Sequence, residues 1–167
     1  FDAALARIAA IEKKQPDKPL PHNLRGMVLL AKGDVPGARR SFEHALEVDP
    51  KFLPAATNLA RLDVKDKKPD DAKKRFEAVL AKDPKNSKAL LSLAALRAGA
   101  GGTPDEVAAL IQKAVAANPA DVEARLALIS FWRGKDPKKQ VGAAQEALTA
   151  FPDRPEILDA VGQAYRA

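Results

Sequence analysis

Prolines 16, 50, 84, 119 and 152 recur along this 167-residue chain at intervals of 34, 34, 35 and 33 residues. A fixed period of that length marks a solenoid, in which each unit is one supersecondary element that cannot bury its apolar face alone. In register, the positions twelve, eight and five residues before the proline are Ala38, Phe42 and Ala45, then Ala72, Phe76 and Val79, then Val107, Ile111 and Ala114. The fourth unit gives Gln140, Ala144 and Ala147, and the N-terminal piece gives Ala4, Ile8 and Ile11. Offsets of four and three place each set on one face of a helix that ends at its proline.

A first helix precedes each of these. It carries a small residue at a repeating place, Gly26, Ala60 and Ala94, with Leu59 and Leu93 beside the last two and Val161, Gly162 and Tyr165 in the final unit. A small residue lets two helix backbones approach while the neighbouring large one fills the groove. The spacing predicts an all-α fold of antiparallel helix pairs at 19–52, 53–86, 87–121 and 122–154. A lone second helix at 2–14 and a lone first helix at 155–167 flank them, which makes about ten helices in a single array over 1–167. The turn-like joints agree: Lys32-Gly33-Asp34, Lys65 to Asp70, and Ala98 to Thr103.

This pattern resembles the tetratricopeptide repeat family, whose units carry a large residue, Leu-Gly, Tyr, then Ala, Phe, Ala and Pro. The likeness rests on Gly26, Ala38, Phe42, Ala45 and Pro50 in one unit and on Leu158, Val161, Gly162 and Tyr165 in the last. It implies a right-handed α-solenoid with a concave, peptide-binding groove. The fourth unit departs most, with Ile129 at the Gly place, Trp132 at the Tyr place and Gln140 at the first Ala, which implies looser or re-angled packing there. By position the resemblance assigns Asn23, Met27, Thr57, Asn58, Arg61, Lys88, Leu91, Leu126, Ser130 and Arg133 to the groove. A subfamily grips a C-terminal carboxylate with lysine, asparagine and arginine; here Asn58 and Lys88 match, but Asn23, Met27 and Ser92 hold the other places. The Ala-, Lys- and Asp-Pro-rich style is also similar to bacterial repeat lipoproteins of exosortase and exopolysaccharide systems, which would imply an exported, envelope-anchored scaffold.

Composition narrows the function. No apolar run approaches the roughly 18 residues that span a bilayer, and the chain opens at Phe1 inside a repeat, as a fragment of a longer protein would. With no cysteine, disulfides and thiolate metal sites are excluded. The net charge of +6 invites a polyanion partner. Yet Lys65, Lys67, Lys68, Lys73, Lys74 and Arg75 are interleaved with Asp63, Asp66, Asp70 and Asp71, with no aromatic residues to stack bases, so this reads as a solvated, mixed-charge corner rather than a nucleic-acid site.

Catalytic and cofactor signals are similarly bland. Gly99 to Gly102 followed by Thr103-Pro104-Asp105-Glu106 reads as a capping box, since acidic residues stand where a phosphate would bind and no Lys-Ser/Thr pair follows. The two histidines, His22 and His44, lie apart in sequence, without Cys, and form no recognisable metal or nucleophile set; Ser41 and His44 read as a surface hydrogen bond. Trp132 reads as core packing.

The function expected is therefore a non-catalytic scaffold, without cofactor or metal, that holds a protein or peptide of some acidic character. The alternatives are a basic-surface binder of polyanions or nucleic acid, and a regulatory module of a larger enzyme. The lone end helices are expected to expose Leu5, Ile8 and Ile11 on one and Leu158, Val161 and Tyr165 on the other, and so to stack head to tail. Such a heterologous contact propagates without closing. Sedimentation should rise with concentration, and a charged substitution at Val161 should abolish the rise; a strict monomer at high concentration overturns this expectation.

Overall fold

A computed structural model describes residues 1–166. Its helices are α1 Asp2–Lys14, α2 Pro19–Lys32, α3 Val35–Val48, α4 Leu53–Lys65 and α5 Pro69–Lys82, then α6 Ser87–Gly99, α7 Pro104–Ala117, α8 Val122–Trp132, α9 Pro137–Ala150 and α10 Pro155–Ala164. Among the described residues there is no strand. The chain divides into two compact units, Phe1–Pro84 and Lys85–Ala167. No helix of the described residues is long and apolar enough to cross a membrane.

Local chemistry sets the helix ends. Asp34, Asn86, Thr103, Asp121 and Asp136 each accept a backbone N–H of the helix they precede, which satisfies donors left orphaned by the first turn. Proline occupies the first or second place of most of the helices, where its missing N–H costs nothing. Three of the four turns inside a helix pair, those closing α2, α4 and α6, follow one design. Gly33 at φ 91° closes α2, and the next amide, Asp34, donates back to Leu29 O at 2.9 Å. The same long-reach bond runs from Lys68 to Asp63 O at 2.8 Å and from Gly102 to Arg97 O at 2.9 Å. Glycine supplies the left-handed residue in most of these turns, but in the α4–α5 turn it is Lys67, at φ 61°, where a side chain is strained by about 1 kcal/mol.

In the first unit the core gathers Ala38, Phe42 and Ala45 of α3 with Ala55, Leu59 and Leu62 of α4. Gly26 explains how α2 closes on it: a Cβ built there would lie 2.4 Å from the Phe42 ring. Most of the charged corner is exposed as expected, Lys65, Lys67, Lys68, Asp70, Lys73 and Lys74 among it, but Asp63 and Arg75 leave it to form a clasp. Asp63 is only 3% exposed and accepts from Arg39 of α3 at 2.7 Å and Arg75 of α5 at 3.1 Å. Arg39 reaches on to Asp66 at 2.7 Å, and Arg75 lies 3.8 Å from Glu43. Three helices thus share one buried carboxylate, whose desolvation is offset by charge-assisted bonds.

In the second unit Ala94, Val107, Ala108, Ile111, Leu128 and Trp132 form one cluster, and Ile129, Ala144, Ala147, Ile157, Ala160 and Ala164 form another. The residues that depart from the repeat are all buried. Ile129 is 1% and Trp132 5% exposed, and the ammonium of Lys139 lies 4.4 Å over the Trp132 ring while pairing with Asp105 at 2.9 Å. Gln140 is fully buried where the other units hold Ala or Val, and neither of its amide atoms has a hydrogen-bond partner among the described residues. At the chain ends, Ile8 is buried rather than exposed and Leu5 and Val161 are half-buried; Ile11, Leu158 and Tyr165 are exposed.

These contacts rank the substitutions. Phe42→Ala should cost about 3–5 kcal/mol by lost burial and cavity, and Asp63→Ala about 2–3 kcal/mol, because its partially exposed arginines keep Asp66 and Glu43. Gln140→Met should instead stabilise by about 1–3 kcal/mol, by removing an unsatisfied buried amide at nearly constant volume. Urea titration orders the three.

Candidate functional site

The residues assigned to the groove lie on α2, α4, α6 and α8 and, for Arg133, at the end of α8; Met27, Arg61, Lys88, Ser130 and Arg133 are exposed and the others half-buried or buried. In the first unit, α2 has no acidic residue and α4 has only the buried Asp63. Their shared face therefore presents no exposed carboxylate of its own. Asn23 is buried, and its Oδ1 accepts from Asn58 Nδ2 at 3.0 Å, tying α2 to α4. Its own amide donates weakly to Met27 Sδ at 3.6 Å. Thr57 is half-buried beside this pair. The two helices also carry exposed apolar side chains, Leu20 at 53%, Leu24 at 36%, Met27 at 49% and Val64 at 48%. Arg61 projects from the same face, exposed and with no ion pair among the described residues.

In the second unit the same face is a hollow. A cavity of about 450 Å³ is lined by Leu91, Ala94, Ala95 and Ala98 of α6, Val107 and Ile111 of α7, and Glu123, Ala127, Ser130 and Phe131 of α8. Leu91 and Ser130, both assigned to the groove, are among its lining. Lys88 stands exposed beside it, 4.0 Å from Glu123. Leu126 does not join the hollow: it packs, half-buried, against the cluster of Ile129 and Ile157, because its place in the register faces the following first helix. Arg133 donates to Gln163 Oε1 at 2.6 Å, and Gln163 to Asp159 at 2.7 Å. The repeat pattern missed Ala127 and Phe131; counting side-chain size along the register would have found them.

Two units, each of stacked helix pairs with exposed apolar groups on its first helices, define a helical-repeat protein. Two tetratricopeptide repeat family models match the chain, over residues 1–51 and 29–96, and the chain belongs to the tetratricopeptide repeat family. No curated protein matches it. Among solved structures it is similar to TTC0263, a thermophilic tetratricopeptide protein of Thermus thermophilus, at 18% identity and TM-score 0.65, over 99% of this chain and 91% of that one. It is also similar to a MamA RS-1 ArsTM double mutant, at 21% and 0.61 over 92% and 86%. YrrB, described as having an unusual peptide-binding site, aligns at 18% and 0.55 over 95% and 82%. At these identities the likeness is one of fold.

The remaining sequence candidates resolve into structural roles. Thr103 and Glu106 form the capping box, and backbone and side-chain hydrogen bonds from Thr103, joined by Arg97, hold the Glu106 carboxyl below its ordinary range. Ser41 does not bond to His44; its hydroxyl donates to Gly37 O at 3.0 Å. The two histidines, separated in sequence, meet edge to face with ring centroids 4.2 Å apart. His22 lies 3.3 Å from Glu12 and His44 3.1 Å from Glu47. Among the described residues no group of three or more His, Cys, Asp or Glu is placed to hold a metal ion.

Glu12 is the pin between α1 and α2. It accepts from Arg25 Nε at 2.8 Å with its side chain 16% exposed. The Arg25 hydrogen bonds, against the opposing effect of burial and helped by the Arg25 and His22 charges, hold its carboxyl below the ordinary 4.5. A depressed folded pKa gives stability that is full above the ordinary value and lost as pH falls through the folded one. The thermal midpoint should therefore drop on acidification below about 4.5, and Glu12→Gln should lower the midpoint at neutral pH while flattening that acid limb. An unchanged acid limb in the variant would show that other carboxylates carry it.

Proposed function

We propose that this chain is a protein-interaction scaffold, not an enzyme, arranged as one array over 1–167. Its α2–α4 face holds an extended or helical segment of a partner protein that joins apolar side chains to a carboxylate. The observation that carries this reading is Arg61, an exposed guanidinium without an ion pair among the described residues, on a face whose two helices expose no carboxylate. The same two helices expose Leu20, Leu24, Met27 and Val64, and exposed apolar groups of this size are the raw material of an interaction patch. Arginine recognises carboxylates through a planar fork of donors. Asn58, half-buried and held in place by the buried Asn23, has a second amide hydrogen and its Oδ1 for a peptide backbone. Membership of a family of binding repeats supports the same reading, as does the peptide-binding site ascribed to YrrB.

A fluorescent peptide, acetyl-Gly-Glu-Leu-Phe-Glu-Gly-amide, tests it by anisotropy. Arg61→Glu should weaken binding about tenfold or more while leaving unfolding stability within about 0.5 kcal/mol, since the residue is exposed. Affinity that ignores the reversal overturns the assignment. A polyanion binder would instead lose affinity steeply with salt and retain it for polyphosphate.

A further inference from the structure

The hollow in the second unit occupies the same place in the repeat as the filled face of the first. Aligning the small-residue positions Gly26, Ala60, Ala94 and Ile129 puts Met27 level with Ala95, Leu30 with Ala98, Asn58 with Ala127 and Arg61 with Ser130. Every one of the four places is smaller in the second unit. The inter-helix amide bond of the first unit has no counterpart here, because Leu91 and Ala127 replace Asn23 and Asn58. What remains is an open apolar cavity of about 450 Å³ floored by Val107 and Ile111 of α7, within the range of sites that bury a ligand group. A single charged side chain lines it, Glu123. That carboxylate is 67% exposed, and its ion-pair contact is with Lys88 at 4.0 Å, a distance at which an exposed pair contributes little.

We infer that this hollow is a side-chain socket for a protein segment presenting a bulky apolar residue, leucine or aromatic, next to lysine or arginine. The apolar side chain seats between Ala95, Ala98 and Ala127, against Phe131, and its neighbour's cation lies by Glu123. An apolar anchor in a pocket with a polar rim is how a few residues come to dominate an interface. Charge sets the preference: the α2–α4 face favours a carboxylate and this one a cation. The inference rests on the reading of the chain as a protein-binding module, but it concerns a different surface and a different residue chemistry.

Amide NMR shifts separate the two. The probes are acetyl-Gly-Lys-Leu-Phe-Lys-Gly-amide, its Glu-flanked counterpart, and a version with Ser-Ser in place of Leu-Phe. The lysine-flanked peptide should shift amides of α6 and α8, the glutamate-flanked one should do so about tenfold more weakly, and the serine version not at all. The swap A95M/A127N, which installs the side chains of the first unit, should abolish these shifts with little change in thermal midpoint. Glu123→Lys, on an exposed residue, should reverse the charge preference. The inference is overturned if the lysine-flanked peptide leaves α6 and α8 unshifted at millimolar concentration, or binds both variants as it binds the parent. Shifts of α2 and α4 amides by the glutamate-flanked peptide are read in the same spectra, and their presence or absence bears only on the α2–α4 reading.

Discussion

Large side chains of second helices packing against small residues of first helices set the geometry on which everything else stands. Gly26 and Phe42 show it most clearly, since not even a methyl group fits between them. The ring of Phe42, with no exposed surface, fixes how near α2 comes to α3, and so fixes which residues of α2 are left facing outward. Ile111 does the same beneath Ala94 in the second unit. Interiors are packed to crystal-like density, so the spacing cannot relax without cost, and the outward faces inherit a defined geometry from a buried contact they never touch.

Because that contact uses few positions per repeat, outward positions such as Met27, Arg61, Ala95 and Ser130 lie outside the buried core and differ between units. Met27 and Arg61 in one unit stand where Ala95 and Ser130 stand in the other, with the same helices beneath. One backbone plan thereby yields a bridged, cationic, apolar face and an open apolar hollow.

The sequence was most legible where the signal was periodic. Proline after each second helix, and Ala and Phe at fixed offsets before it, placed the helices because both helical repeat and chain termination act over a few residues. It was least legible where contacts join distant positions. Asp63 sits in a run of mixed charges and gave no sign that Arg39, 24 residues back, and Arg75, 12 ahead, converge on it. His22 and His44 likewise meet only because α2 and α3 are antiparallel. Leu126 packs toward Ile129 and Ile157, a choice that helical position alone does not reveal, because it does not say which neighbour a residue faces. The hollow escaped notice for another reason: it is made by what alanines leave out, and inspection for functional groups passes over missing volume. The buried Gln140, polar where the repeat asks for Ala, has no account in these contacts.

The turns that close α2, α4 and α6 have a consequence for association. In each, the residue after the left-handed one donates back into the helix it has just left, so the carbonyls at the helix end are occupied even where the chain reverses. Sheets end in an edge strand whose unpaired amides and carbonyls recruit any extended chain nearby. A pile of helices closed in this way offers no such ladder. Lengthening it by another pair adds surface without adding adhesive backbone, and whatever it gathers must be chosen by side chains.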